Sequence, residues 1–482
     1  MRNLLLVSLG AELLWAQPLA VNTGVPLRLE PGGVVWCEGS WLNGVGGTFQ
    51  NSGTVYISGD IQNDDPGQLF VGGGAAGTLV LQGGFQTLRG TQPIRTDTIR
   101  LVGVGPKVLA TDLYIDGQLE LGDAELRTQT YKAMVRNPDP LAITRQNGFV
   151  SSDQGGYLER WTDRTATYLF PVGGHTPLRY RPALLTPSSG APHRWAVRLA
   201  NVDPTSENLP RSQRSPTLCE INPLYYHYVD RLAGADAATI TLTYDPADPI
   251  KGPIAQWKTQ WEPTPAAGGP GPTEWTLASW SDFSTPNFAF SALALTSQIT
   301  ASADTLAPGE PVQLTALVAP PQPGFTYTWL LGDGRTATGS PISLSYAEPG
   351  EYEVTLIVTS PEGCQDTATY RLIVRETALY IFNTFSPNGD GINDVWQVSA
   401  QGFRQVRWRI YDRWGLLITE GQGSQIRWDG TKQGQPCAEG AYIYLIELEK
   451  ADGTVEKPCR HADPLTLNPL LKRERPFTLA MG

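Results

Sequence analysis

Between Val34 and Leu126 the chain returns again and again to one small unit, a short run with apolar side chains at every second position, closed by glycine or Asn-Gly. GTVYISGDI, GTLVLQGGF, DTIRLVGVG and DLYIDGQLELGDAELRT are its clearest copies. In Thr54-Val55-Tyr56-Ile57 and in Gly117-Gln118-Leu119-Glu120-Leu121 the alternation has period two, which is the signature of a strand buried on one face. The units recur every ten to twenty residues. A strand so short buries its apolar face only by stacking on the next one, so the pattern predicts a β-solenoid over residues 17–150, with a β-sandwich as the alternative.

The rest of the composition agrees with an all-β chain. There are 51 Gly and 39 Pro in 482 residues, charged residues make up only 17%, and long apolar stripes of helical period are missing. That length calls for about two to four domains. A net charge of −11 excludes nucleic acid as a partner, since phosphate binding needs clustered Lys and Arg. The five cysteines, at 37, 219, 364, 437 and 459, form no CxxC pair, so a zinc ribbon is not expected. In an oxidising compartment they allow one or two disulfides, whose pairing stays open. The four histidines, 175, 193, 227 and 461, lie far apart without an HExxH, so no catalytic metal is expected. Arg2 followed by the apolar stretch Leu4–Trp15 and by Ala16 reads as a secretory signal peptide over residues 1–16, a buried helix being the alternative. No later stretch has the apolar length of a membrane helix, so secretion without a transmembrane anchor is expected.

From residue 151 to 297 aromatic residues become frequent and the strands longer, which predicts an antiparallel sandwich with Pro263–Pro272 as a surface loop. Trp257, Trp261, Trp275 and Trp280 bear on function: exposed together on one face they would stack on sugar rings, buried they are core. An enzyme that degrades polysaccharide on the solenoid is a further alternative, with Asp60, Asp64, Asp65, Asp112, Asp116 and Asp123 as its candidate acids. Most of these sit beside Gly or Asn, where turn formation explains them, and no GxSxG is present. A protein without enzymatic activity is expected.

Two resemblances extend this reading. GTLVLQGGFQTLRG, YLFPVGG followed by YRPALLT, and FAFSALAL resemble the repetitive front region of surface proteins from Gram-negative gliding bacteria. Residues 298–375, with YTWLLGDGRTATGSPISLSYAEPGEYEVTLIV, resemble a PKD domain, an immunoglobulin-like sandwich that serves as a spacer or adhesion module. There Trp329 would be the core tryptophan and Gly332-Asp333-Gly334 a tight turn. Leu330 and Leu331 replace an acidic and an aromatic residue usual in that family, which removes a carboxylate from this turn.

Residues 377–482 carry four motifs in order: NTFSPNGDGINDVW at 383–396, RIYDRWG at 409–415, Trp428-Asp429-Gly430, and GQPCAEGAYIY at 434–444. Together they resemble the gliding motility-associated C-terminal domain, the type B sorting domain of type IX secretion. The motif residues are Asn388, Asp390, Gly391, Asn393, Asp394, Arg413, Trp414, Gly415, Trp428, Asp429, Gly430, Gly440 and Tyr442. Val406, Trp408 and Ile410, then Tyr442, Tyr444, Ile446 and Leu448, alternate as half-buried strands of a small sandwich, with Trp414 and Trp428 expected in its core. The resemblance implies a docking surface without chemistry of its own, recognised by the type IX translocon and the surface-attachment machinery. The tail Pro458–Gly482 departs from the family pattern, and Leu465–Leu467 is the segment that could stand in for the last strand. In the first motif, Asn388, Asp390, Asn393 and Asp394 bring oxygens to a Gly-rich turn, which makes a structural calcium site one expectation and an array of Asx turns the other. The expected protein is secreted to the exterior of a Gram-negative outer membrane as an adhesin or structural surface component. Its expected partners are the secretion machinery and surface glycans or proteins.

Overall fold

Val55, Leu79, Ile99, Leu119 and Ile143 stand in register on successive parallel strands, each no more than 5% exposed. They come from the glycine-punctuated units, and their shared face is what each unit lacked alone. In this computed structural model the described residues are 19–457, apart from 68, 73, 74, 104, 270, 383, 424 and 452, together with segments 465–467 and 478–479. The expected signal peptide and most of the tail Pro458–Gly482 lie outside them.

Every third strand pairs in parallel, so the chain winds through three faces as a β-solenoid. One face runs from Val34–Cys37 through Thr54–Ile57, Thr78–Leu81, Thr98–Leu101 and Leu119–Glu120 to Ile143–Thr144. A second runs from Leu19–Asn22 through Ser40–Asn43 and Ile61–Asn63 to Val172–His175. At a corner of the first rungs a polar ladder replaces the aliphatic one. Asn22 Nδ2 donates to Asn43 Oδ1 at 3.0 Å, Asn43 Nδ2 to Asn63 Oδ1 at 2.9 Å, and Asn63 Nδ2 to the Pro93 carbonyl at 2.7 Å. All three amides are buried, and each satisfies the next, so the ladder avoids the cost of about 1–3 kcal/mol that an unpaired buried polar group carries.

The third face does not stop where the solenoid does. Tyr157–Thr162 pairs in parallel with Lys132–Val135 on one edge, Lys132 opposite Tyr157, and antiparallel with His193–Ala200 on the other, Glu159 opposite Ala196. The sheet then continues through Tyr226–Ala233, Asn287–Leu293 and Ile254–Trp257. It packs on a second antiparallel sheet built from Tyr168–Phe170, Ala183–Pro187, Ala238–Thr243 and Glu274–Trp280. One hydrophobic core reaches from Cys37 to Phe290. The separate regions expected at 17–150 and 151–297 are therefore one unit ending at Ala294, because Tyr157–Thr162 spends both of its edges joining them.

The second unit starts at Leu295. Thr296–Ala301, Val312–Ala319 and Ile342–Leu344 form one sheet of the immunoglobulin-like sandwich, and Gln365–Val374, Gly350–Thr359, Thr326–Leu330 and Thr336–Thr338 lie in the other. Trp329 is its buried core tryptophan, and its indole N–H donates to the Gly339 carbonyl at 2.8 Å. Val354, Leu356 and Val358 line up inward on the long strand, as the period-two pattern requires.

The C-terminal sandwich has one sheet containing Ala378–Ile381, Trp396–Gln401 and Gln425–Trp428 and another containing Gln405–Tyr411, Leu417–Gln422 and Gly440–Glu449. Leu465–Leu467 runs antiparallel to Gly440–Glu449 and parallel to Thr384–Phe385, so the tail does supply a strand to this sheet. No helix among the described residues is long and apolar enough to cross a membrane.

Candidate functional site

The sequence motifs of the C-terminal sandwich converge through their aromatic residues. Trp428 lies between Phe385, 5.3 Å away between ring centroids, and Tyr442, 5.0 Å away edge to face. Its indole N–H is spent on the Thr431 carbonyl at 2.8 Å, and Tyr442 donates to the Ala438 carbonyl at 2.7 Å. Trp396 is fully buried, with Tyr444 at 5.3 Å. Each of these rings meets its polar need locally, so its apolar body fills the core at no unpaired cost. Asp429 shapes the adjoining turn by accepting from the Thr431 N–H at 3.0 Å and hydroxyl at 2.8 Å, and Gly430 accepts from the Cys437 N–H at 2.9 Å.

The Gly-rich first motif is an array of Asx turns. Asp394 accepts from the Gly389 N–H with Oδ1 at 2.7 Å and from the Gly391 N–H with Oδ2 at 2.8 Å. Asn388 Oδ1 accepts from the Asp390 N–H at 3.0 Å, and Asp390 Oδ1 from the Ile392 N–H at 2.8 Å. The Asn393 carbonyl accepts from the Ser386 N–H at 2.8 Å. Gly389 and Gly391 take φ of 76° and 83°, which only glycine adopts without strain. Side-chain oxygens of Asn388, Asp390 and Asp394, three of the four residues expected to ligate calcium, are thus turned onto the loop's own amides. Among the described residues no group of three His, Cys, Asp or Glu is placed to hold a metal. The expected outcome of adding a chelator to the purified protein is an unchanged melting temperature. A rise on adding calcium would show that the loop is a metal site after all.

Trp414 is not in the core. It is 86% exposed, on the turn that joins Gln405–Tyr411 to Leu417–Gln422. Counting tryptophan as apolar predicts burial, but Asp412 decides otherwise. Its Oδ1 accepts from the N–H of Trp414 at 2.9 Å and of Leu416 at 2.8 Å, which fixes the turn with the indole outward. The RWG motif therefore presents side chains, whereas the other three motifs mainly build the fold. Beside it is a groove of about 410 Å³ whose walls include Arg413, Trp414, Lys432, Cys437 and Tyr442. Lys432 was not singled out from the sequence, where it looks like an ordinary hairpin residue, and Cys437 was noted there only as one of five cysteines. Gly440, at the groove, takes φ of 146°, a backbone conformation that residues with a side chain rarely adopt. Burial pushes the Cys437 thiol up, so it is not a thiolate nucleophile at neutral pH. No histidine occurs between residues 379 and 457, so the groove has no imidazole base.

On the solenoid, the candidate acids clamp rung to rung. Asp60 accepts from the Thr87 N–H at 2.8 Å, Asp64 from Thr91 at 3.0 Å, Asp65 from the Gly46 N–H, Asp112 from Lys132 at 3.2 Å and Asp123 from Asn147 at 3.2 Å. Asp116 pairs with Arg95 at 2.6 Å and Arg136 at 3.2 Å. All six are thus engaged in structural contacts. His175 Nδ1 lies 3.0 Å from Asp153 and 3.7 Å from Glu125, and sequence reasoning missed this cluster because its members are far apart in the chain. Of the four tryptophans, Trp261 is fully buried, and Trp257 packs on it edge to face at 5.5 Å. Trp275 and Trp280 pack against the main core, their indole N–H groups donating to the carbonyls of Lys251 at 2.9 Å and Asp282 at 2.7 Å.

No curated protein matches the sequence. Among solved structures the chain is similar to the PKD1 domain of Epp from Vibrio anguillarum, at 25% identity over 17% of this chain and 95% of that one, with a TM-score of 0.16. It is similar to the fibronectin(III)-like modules of Clostridium thermocellum CbhA at 12% identity, covering 37% and 98%, with a TM-score of 0.18. Dimeric latent PorU from Porphyromonas gingivalis is matched at 10% identity over 58% and 31%, with a TM-score of 0.15. The PKD domain family model matches residues 297–374, and the CHU_C type IX secretion signal domain model matches residues 379–458. Residues 297–374 are thus a PKD domain and residues 379–458 a CHU_C type IX secretion signal domain.

Proposed function

We propose that this protein is carried to the outer surface of a Gram-negative cell by type IX secretion, with residues 377–482 as its address and the front unit as adhesive or structural cargo without catalysis. The observation that carries the reading is the match of residues 379–458 to a type IX secretion signal domain in a folded sandwich that holds all four motifs. The PKD domain between address and cargo suits a surface or adhesive module. The buried and packed tryptophans speak against a sugar-stacking platform made of those four residues, and the rung-clamping acids speak against a pair of carboxylates poised for hydrolysis. Glycan or protein partners of the front unit belong to this proposal as its adhesive targets.

Deleting residues 377–482 in the organism that encodes the protein is expected to leave the front unit inside the outer membrane, as read by protease accessibility on intact cells. Undiminished surface exposure of the truncated chain would remove the reading.

A further inference from the structure

An indole in water leaves a large apolar area unburied. Trp414 does so at 86% exposure, with Leu416 beside it at 58%, on a turn held by three hydrogen bonds to Asp412. Such a turn is pre-organised to present the pair. The adjoining groove of about 410 Å³ is concave, deep enough to admit a side chain. Its charge is uneven. Arg413 and Lys432 have no carboxylate in ion-pair range among the described residues, Lys432 donating instead to the Leu417 carbonyl at 3.0 Å. The groove's one acid, Asp412, already gives an oxygen to its own turn.

We propose that the Arg413–Trp414 rim and its groove are the docking surface of the secretion signal domain. The partner is a protein segment that covers Trp414 and Leu416 with apolar side chains and sets carboxylates against Arg413 and Lys432. This rests on the secretion reading above and says which part of the domain is read. Trp and Arg are the side chains that most often anchor protein interfaces, and unpaired cations lining a concave groove select an acidic partner. The exposed Trp414–Leu416 tip alone would also suit a lipid surface, and it is the concave groove beside it that favours a protein segment.

The test compares full-length variants in the organism that encodes the protein. Trp414→Ala and Arg413→Glu are each expected to lower surface display by about tenfold or more, the effect of losing an anchor residue. Arg413→Lys should restore much of the loss from charge reversal. The purified variants should melt within error of the parent, since both side chains are exposed. Trp36→Ala removes another exposed tryptophan, 56% accessible and in the front unit, and should be displayed normally. If deletion of 377–482 blocks display while Trp414→Ala and Arg413→Glu are displayed normally, the docking surface is elsewhere and only the secretion reading stands. If the deleted chain is displayed, both fail. Sedimentation of the full chain with phosphatidylglycerol vesicles, lost on Trp414→Ala, would replace the protein partner by a membrane and overturn the proposal.

Discussion

Replacing Asp248 with alanine is expected to destabilise the front unit by about 3 kcal/mol, because it strands a buried guanidinium. Asp248 is 5% exposed and takes two hydrogen bonds from Arg181, from Nε at 3.0 Å and from Nη2 at 2.9 Å. The same carboxylate accepts from Tyr225 Oη at 2.6 Å and from the Asp245 N–H at 2.9 Å. Burial alone would raise its pKa, but the bonds from Arg181 and Tyr225 outweigh burial and hold the carboxyl below the usual range. Asp245, 3.7 Å from Arg181, offers the stranded cation a partial substitute, which places the loss at the low end for a broken buried pair. Scanning calorimetry of the full chain would show one transition moving down, that of the front unit. Adding Arg181→Met to Asp248→Ala should cost less than the two single losses combined, since the second change removes the uncompensated charge. Strict additivity would mean that the pair is not coupled.

The same network makes the front unit sensitive to acid. His227 is fully buried, its Nε2–H donating to the Arg181 carbonyl at 2.9 Å, with Tyr225 and Phe290 edge-on at 6.0 and 6.2 Å. Burial lowers its pKa to about 4, against about 6.5 in an unfolded chain. Between those values the unfolded chain binds a proton that the folded one refuses. Stability is therefore full above about pH 6.5 and falls as pH drops toward 4, by about 3 kcal/mol for this one group. Asp248 adds its own loss only below that window, because its folded pKa is depressed below the carboxylate range. The transition that Asp248→Ala moves should fall between pH 6.5 and 4 in the parent. In His227→Phe it should start lower, from the lost bond to Arg181, and stay flat across the window. A parent curve without that fall would contradict the buried neutral imidazole.

What could be read in advance followed from local rules, and what could not depended on partners distant in the chain. Period two at Thr54–Ile57 and Gly117–Leu121 predicts rungs, and rungs are what form. Tyr352, Val354, Leu356 and Val358 likewise announce one inward face. The merging of solenoid and sandwich was hidden, because nothing in Tyr157–Thr162 says that its second edge will find His193–Ala200 antiparallel. Asn22, Asn43 and Asn63 recur at rung spacing and could have been seen, yet Asn at the end of a short strand, as in Asn43-Gly44, also reads as turn punctuation. Trp414 was misplaced for a related reason. Hydrophobicity argues for burial, and the outcome hangs on Asp412 two residues earlier accepting from the Trp414 N–H. The first motif was legible as an Asx array only as one of two options, since the same oxygens suit calcium or amides. Their bonds to the N–H groups of Gly389, Asp390, Gly391 and Ile392 show where they point.

The claim that residues 377–482 act as an address is tested most directly by moving them. Fused behind a periplasmic reporter that carries its own inner-membrane export signal, in the organism that encodes this protein, they should bring the reporter to the cell surface, where external protease degrades it on intact cells. The same fusion in a strain lacking a functional type IX apparatus should stay protected. A reporter that remains protected in both strains, or exposed in both, would contradict the account.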